Sequence, residues 1–153
     1  MNMALHRSLN SAFLQLLKQL KQLHTLLSAR EEQLAVHQKQ QKVLVRLHAE
    51  CEQAIEAMIA PQPSPRAEGN KEASAFKVLL QRSWALKNAL EHKRLAVARC
   101  RQRLIKLEQR IEASLSLKAK VANTLTAGGK ATALQVAMEV MLVKNQLWLA
   151  QYD

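Results

Sequence analysis

Two apolar repeats of equal length, divided by one proline cluster, constrain this chain more than any other feature. Stepping alternately by four and three from Leu9 gives Phe13, Leu16, Leu20, Leu23, Leu27, Arg30, Leu34, His37, Gln41, Leu44, His48, Cys51, Ile55 and Met58. A second series runs Phe76, Leu79, Ser83, Leu86, Leu90, Lys93, Val97, Cys100, Leu104, Leu107, Ile111, Ser114, Lys118, Val121 and Leu125. A 3.5-residue apolar period is the seam of a helix that packs along another helix. Each pattern spans roughly 75 Å at 1.5 Å per residue. Between them Pro61, Pro63 and Pro65 hold all the proline of the chain, so residues 60–72 read as an extended loop.

Composition agrees with helices. Aromatic residues are 3% of the 153, which starves a sheet of the side chains it packs best. The expected fold is all-α: a long antiparallel two-helix coiled-coil hairpin, with a third, C-terminal helix packing at the N-terminal end. The boundaries read as helix 3–59, loop 60–72, helix 73–125, a Gly-Gly hinge at 126–130 and helix 131–151, all in one domain over 1–153. If Met58 faces Phe76 at the loop, Gln41 falls opposite Lys93, Cys51 opposite Ser83 and Leu9 opposite Leu125. Polar seam positions that coincide in this way fix the register of two helices.

The third helix follows Gly128 and Gly129. Its stripe is Leu134, Met138, Met141, Asn145, Trp148 and Tyr152, widened by Val140, Leu142, Val143 and Leu149. Leu14, Leu17 and Leu26 lie off the first seam, and a three-helix bundle at that end would bury both surpluses. Leu134, Met138, Met141, Leu142, Trp148 and Leu149 read either as ordinary core or as a partner-binding face, in a helix-in-groove mode. Methionine suits a surface that must adapt. The paired glycines exceed what a helix cap requires and read as a hinge that lets the third helix dock or yield its place.

The net charge of +11 is unevenly placed. Residues 76–125 hold twelve Lys/Arg against three acids, while 61–75 and 126–153 each balance. Arg99, Arg103, Lys106 and Arg110 recur at helical spacing as one stripe. It reads either as a nucleic-acid or acidic-partner surface or as the solvated flank of a coiled coil. Aromatics for base stacking are not interleaved with it.

Catalytic signatures fail. Gly129-Lys130 resembles the end of a phosphate loop, but that loop needs glycine at 124 and Ser/Thr at 131, where Thr124 and Ala131 stand. His48 and Cys51, three apart on one helix face, have no second pair to complete a metal site. No enzyme activity, cofactor or metal is expected. Cys51 and Cys100 show no pairing pattern, which suits a reducing cytoplasm. No apolar run reaches the roughly 20 residues of a membrane span.

The run 20–47, "LKQLHTLLSAREEQLAVHQKQQKVLVRL", resembles the flagellar export chaperones of the FlgN family. The matching features are Leu23, Leu26, Leu27, Glu31, Glu32, Leu34, Lys42, Leu44 and Leu47. They are followed by a second long helix over 76–125 and a small-residue turn with Gly128, Gly129, Lys130 and Thr132. The chain has Thr126 where family members commonly carry an aromatic, and an apolar helix where many end in a polar tail. The resemblance implies a cytoplasmic type III export chaperone that shields the C-terminal amphipathic helices of hook-associated proteins. It also implies contact with the export apparatus, and a C-terminal segment that holds the client. The length and shape are similar to the FliJ-like export stalk as well. The basic run 98–113 resembles the basic helix of PriC-type primosomal proteins, which would make the partner nucleic acid. Whether the chain forms a homodimer stays open at this level.

Overall fold

The computed structural model describes residues 3–59, 69–127 and 131–151, with the backbone alone for 69–71. The described chain is all helical: α1 is Met3–Ile59, α2 is Gly69–Ala127 and α3 is Ala131–Ala150. The prolines at 61, 63 and 65 and the hinge residues Gly128 and Gly129 lie outside the described residues. Helix α2 begins at Gly69 and ends at Ala127, a few residues beyond the 73–125 read from the periodicity. Asn70, Lys71, Glu72 and Ala73 are neither β-branched nor proline, so they admit a first helical turn ahead of the apolar repeat.

At 57 and 59 residues, α1 and α2 are several times the usual length of a globular helix. Their Leu, Ala, Gln, Lys and Arg content keeps the per-residue cost of helix formation small. Hydroxyls that would otherwise compete for the backbone are turned inward along it. Thr25 Oγ1 donates to the Lys21 carbonyl at 3.0 Å, and Thr124 Oγ1 to the Lys120 carbonyl at 3.0 Å.

Tertiary contacts gather the chain into two compact units, Met1–Glu32 with Gln102–Asp153, and Gln33–Arg101. The second unit holds one stretch of α1 and one of α2. Its buried residues are Cys51, Ile55, Ser83, Val97 and Cys100. Lys93 Nζ donates to Gln40 Oε1 at 2.7 Å and lies 3.3 Å from His37 Nδ1. Closer to the C-terminal end of α1, Ser83 Oγ donates to Glu52 Oε1, and Cys51 Sγ donates to the Leu79 carbonyl at 3.4 Å. Rising numbers in α1 thus meet falling numbers in α2. Lys93 bonds to Gln40 and approaches His37 rather than reaching Gln41, because a long ammonium side chain reaches along the seam to acceptors beside it.

The first unit contains one stretch each of α1 and α2, together with α3, around one continuous core. Leu9, Ala12, Leu16, Leu20 and Leu23 of α1 meet Leu107, Ile111, Leu117 and Val121 of α2 and Met138 of α3. Gln135 Nε2 donates to Ser8 Oγ at 2.9 Å, and Gln19 Nε2 donates to the Leu142 carbonyl at 3.1 Å. Here α3 follows the direction of α1. Every residue of the two long seams is buried or half-buried in its own unit. Two surplus groups depart from the expectation of periodicity. Leu14 is exposed, and so are Val140 and Val143, which the apolar spacing assigns to the inward stripe of α3. Val140 and Val143 stand on the side of α3 opposite the buried Met138, turned away from the core, and so they face water.

Candidate functional site

The chemistry of the first unit is concentrated where α3 lies against α1 and α2. The sequence-derived face assembles there: Met138 is fully buried, and Leu134, Met141, Leu142, Trp148 and Leu149 are half-buried against the same core. Helical spacing explains this grouping, since steps of three and four bring these six to one side of α3. Phe13, Leu26, Leu27 and Leu125 close around them. The face is thus occupied by the chain's own α1 and α2.

One polar layer crosses this apolar seat. Asn145 and Ser114 are both fully buried, and Asn145 Nδ2 donates to Ser114 Oγ at 3.2 Å. Three further polar atoms are buried without a hydrogen-bond partner among the described residues: Gln19 Oε1, Arg110 Nε and Gln135 Oε1. Gln135 belongs to α3, Gln19 bonds to its backbone, and Arg110 stacks on its tryptophan. All three sit where α3 is seated. A polar atom buried with neither protein nor water as a partner costs about 1–3 kcal/mol.

The basic stripe divides. Arg103 and Lys106 are exposed, as is Arg99 in the other unit. Arg110 is half-buried, its guanidinium carbon 5.4 Å from the centre of the Trp148 ring. Burial pushes its pKa below the ordinary arginine value. Beside it opens a hollow of about 350 Å³ lined by Lys106, Gln109, Arg110, Ala113, Met141, Lys144 and Trp148. Three of those seven side chains are cationic and none is acidic. Helical spacing puts Lys106 and Arg110 on one stripe but says nothing of Lys144, which comes from another helix and reaches the same hollow through tertiary packing.

Other titratable groups are engaged locally. His48 Nε2 lies 3.4 Å from Glu52 Oε1, so the His48/Cys51 pair is spread over two different neighbours. Among the described residues no cluster of three or more His, Cys, Asp or Glu could hold a metal ion, and no helix is long and apolar enough to cross a membrane. Both cysteines are free and buried.

A second apolar face of α3 becomes distinct only in the structure. Ala133, Val136, Val140, Val143, Leu147 and Ala150 recur at three, four, three, four and three residues, and all are exposed. The spacing is present in the sequence, but there its valines merge with the inward stripe. No known family profile, curated protein or solved structure matches this chain.

Proposed function

We propose that the protein is a non-enzymatic helical chaperone or adaptor in which α3 is a displaceable occupant of its own binding groove. The groove is the leucine-rich surface of α1 and α2 in the first unit. The client is an amphipathic helix that takes the place of Leu134, Met138, Met141, Leu142, Trp148 and Leu149. In this reading α1 and α2 form a long antiparallel coiled-coil hairpin, Gly128 and Gly129 act as the hinge, and the protein works in the cytoplasm. The resemblance to FlgN-type export chaperones supplies the class of client, the C-terminal helices of exported hook-associated proteins.

The observation that carries the reading is the placement of the orphaned polar atoms. Gln19 Oε1, Arg110 Nε and Gln135 Oε1 all belong to the seat of α3. A helix held by apolar contact but charged with unmet hydrogen bonds is released more readily than the two-helix core beneath it. A client helix with better-matched polar groups would gain what α3 forgoes.

A fluorescent peptide copy of residues 131–150, added to the full chain, tests displaceability. Binding is expected, and a Met138→Glu peptide, spoiled on its inner face, should lose it. A Val140→Glu peptide, altered only on the outer face, should keep it. If no peptide binds and α3 amides exchange hydrogen only on global unfolding, the groove reading fails.

The nucleic-acid reading keeps one specific support, the exposed Arg99, Arg103 and Lys106 on α2. It requires binding to DNA that weakens steeply with salt and is lost when these three become glutamine. An export-stalk role like that of FliJ needs the two long helices alone and would survive removal of residues 130–153.

A further inference from the structure

We infer that the outer face of α3 is a self-association surface on which a second copy of this chain packs its own α3 in parallel. The face is a coiled-coil seam. Ala133, Val140 and Leu147 take the a positions, and Val136, Val143 and Ala150 the d positions, with no polar residue among the six. The four large ones are well exposed: Val136 57%, Val140 48%, Val143 59% and Leu147 62%. Residues buried or half-buried inside the first unit, Met138, Met141, Leu142 and Asn145, fall at f, b, c and f, on the opposite side of the helix. The seam therefore points away from the core that holds α3.

Charge decides both the occupant and its direction. With these assignments Glu139 is at g and Lys144 at the e position five residues on. In a parallel pair, g of one helix lies beside e of the next heptad of the other, so Glu139 meets the partner's Lys144, twice by symmetry. In an antiparallel pair g faces g and e faces e, and neither carboxylate meets a lysine. The remaining flank positions, Thr132, Ala137, Gln146 and Gln151, are uncharged and exposed, so no like charges oppose each other. Among the described residues Glu139 accepts only a hydrogen bond from Gln135 Nε2, at 2.9 Å, and no ion pair uses Lys144.

A free helix of 20 residues would be too short to pair strongly, because association would have to order it first. Here α3 is already ordered by the core, and that cost is absent. A three-heptad seam lies at the small end of specific interfaces, so the dimer is expected in the micromolar range.

Sedimentation velocity of the full chain across micromolar concentrations tests this. The weight-average mass should rise from 17.3 kDa toward twice that value. Val140→Glu, at an exposed central position, should leave a helical monomer throughout. Glu139→Lys sets like charges together at both flanks and should raise the dimer midpoint by about tenfold. The double variant Glu139→Lys, Lys144→Glu should return it to the wild-type midpoint. A wild-type chain that stays monomeric overturns the inference, as does a dimer indifferent to Val140→Glu. A dimer that the double variant does not restore is not the parallel one. Should Val140→Glu lose helicity, the charge series alone decides. The Val140→Glu peptide lacks an intact outer seam and reads the inner face alone, so either result can fail without the other.

Discussion

Asn145 of α3 and Ser114 of α2 are wholly buried and satisfy one another, the amide donating to the hydroxyl at 3.2 Å. Around them the core is leucine, isoleucine and methionine. A single polar layer in such surroundings contributes little net stability, but it penalises every other placement of α3. Replacing Asn145 with alanine leaves Ser114 stranded and should lower stability by about 1–3 kcal/mol. The pair Ser114→Ala, Asn145→Leu removes both partners and should recover most of that loss. Chemical denaturation of the three proteins checks it, and equal losses in the single and double variants would refute the pairing.

Arg110 carries opposing effects. Its guanidinium lies over Trp148, worth about 0.5–1 kcal/mol, while its buried Nε lacks a partner at a cost of about 1–3 kcal/mol. Arg110→Met keeps the apolar stem against the indole and removes the orphan. The cost of the stranded Nε outweighs the attraction to the ring, so the thermal midpoint should rise or hold. A clear fall would show that the Nε finds a partner in water.

Leu14 and Leu16 are two residues apart on one helix and carry the same side chain. Leu16 is fully buried and Leu14 is 59% exposed. Leu16→Ala should cost about 2–5 kcal/mol, and Leu14→Ala should stay within about 0.5 kcal/mol of wild type. Urea titrations of both variants separate the two outcomes.

Glu91 and Arg94 form an exposed pair, with Arg94 Nη2 2.6 Å from Glu91 Oε1 and Arg94 Nε 3.2 Å from Oε2. The side-chain hydrogen bond from Arg94, ahead of its charge, holds the Glu91 carboxyl below its ordinary pKa. A depressed carboxylate favours the folded state above its unfolded pKa, and that benefit is lost as pH falls through the folded value. Carboxyl NMR titration should show Glu91 moving back up to the ordinary range in Arg94→Gln. No movement would show that the pair does not persist in solution.

The seams of α1 and α2 are legible residue by residue, because a helix that packs along its length must repeat its apolar positions at 3.5 residues. Even the polar interruptions His37, Gln41, His48 and Lys93 are half-buried, as seam positions should be. The inward face of α3 is legible for the same reason. Val140 and Val143 escape that logic because α3 is apolar on two sides, and periodicity counts hydrophobic residues without saying which side is covered.

The sequence by itself determined three helices, their approximate ends and the seam positions that the two long ones hide. Backbone propensity, prolines and apolar spacing are local properties, and they act before any two helices meet. Only the tertiary structure decided that α3 lies along α1 in the same direction, and that Asn145 chooses Ser114. It also decided that Lys144 joins Lys106 and Arg110 around one hollow, and that the valines of α3 are left bare. Those outcomes depend on which of several apolar faces finds a partner first and fits it best. A helix seated against two others can bury only the face turned toward them, so Met138 and Asn145 are hidden while Val140 and Val143 face water.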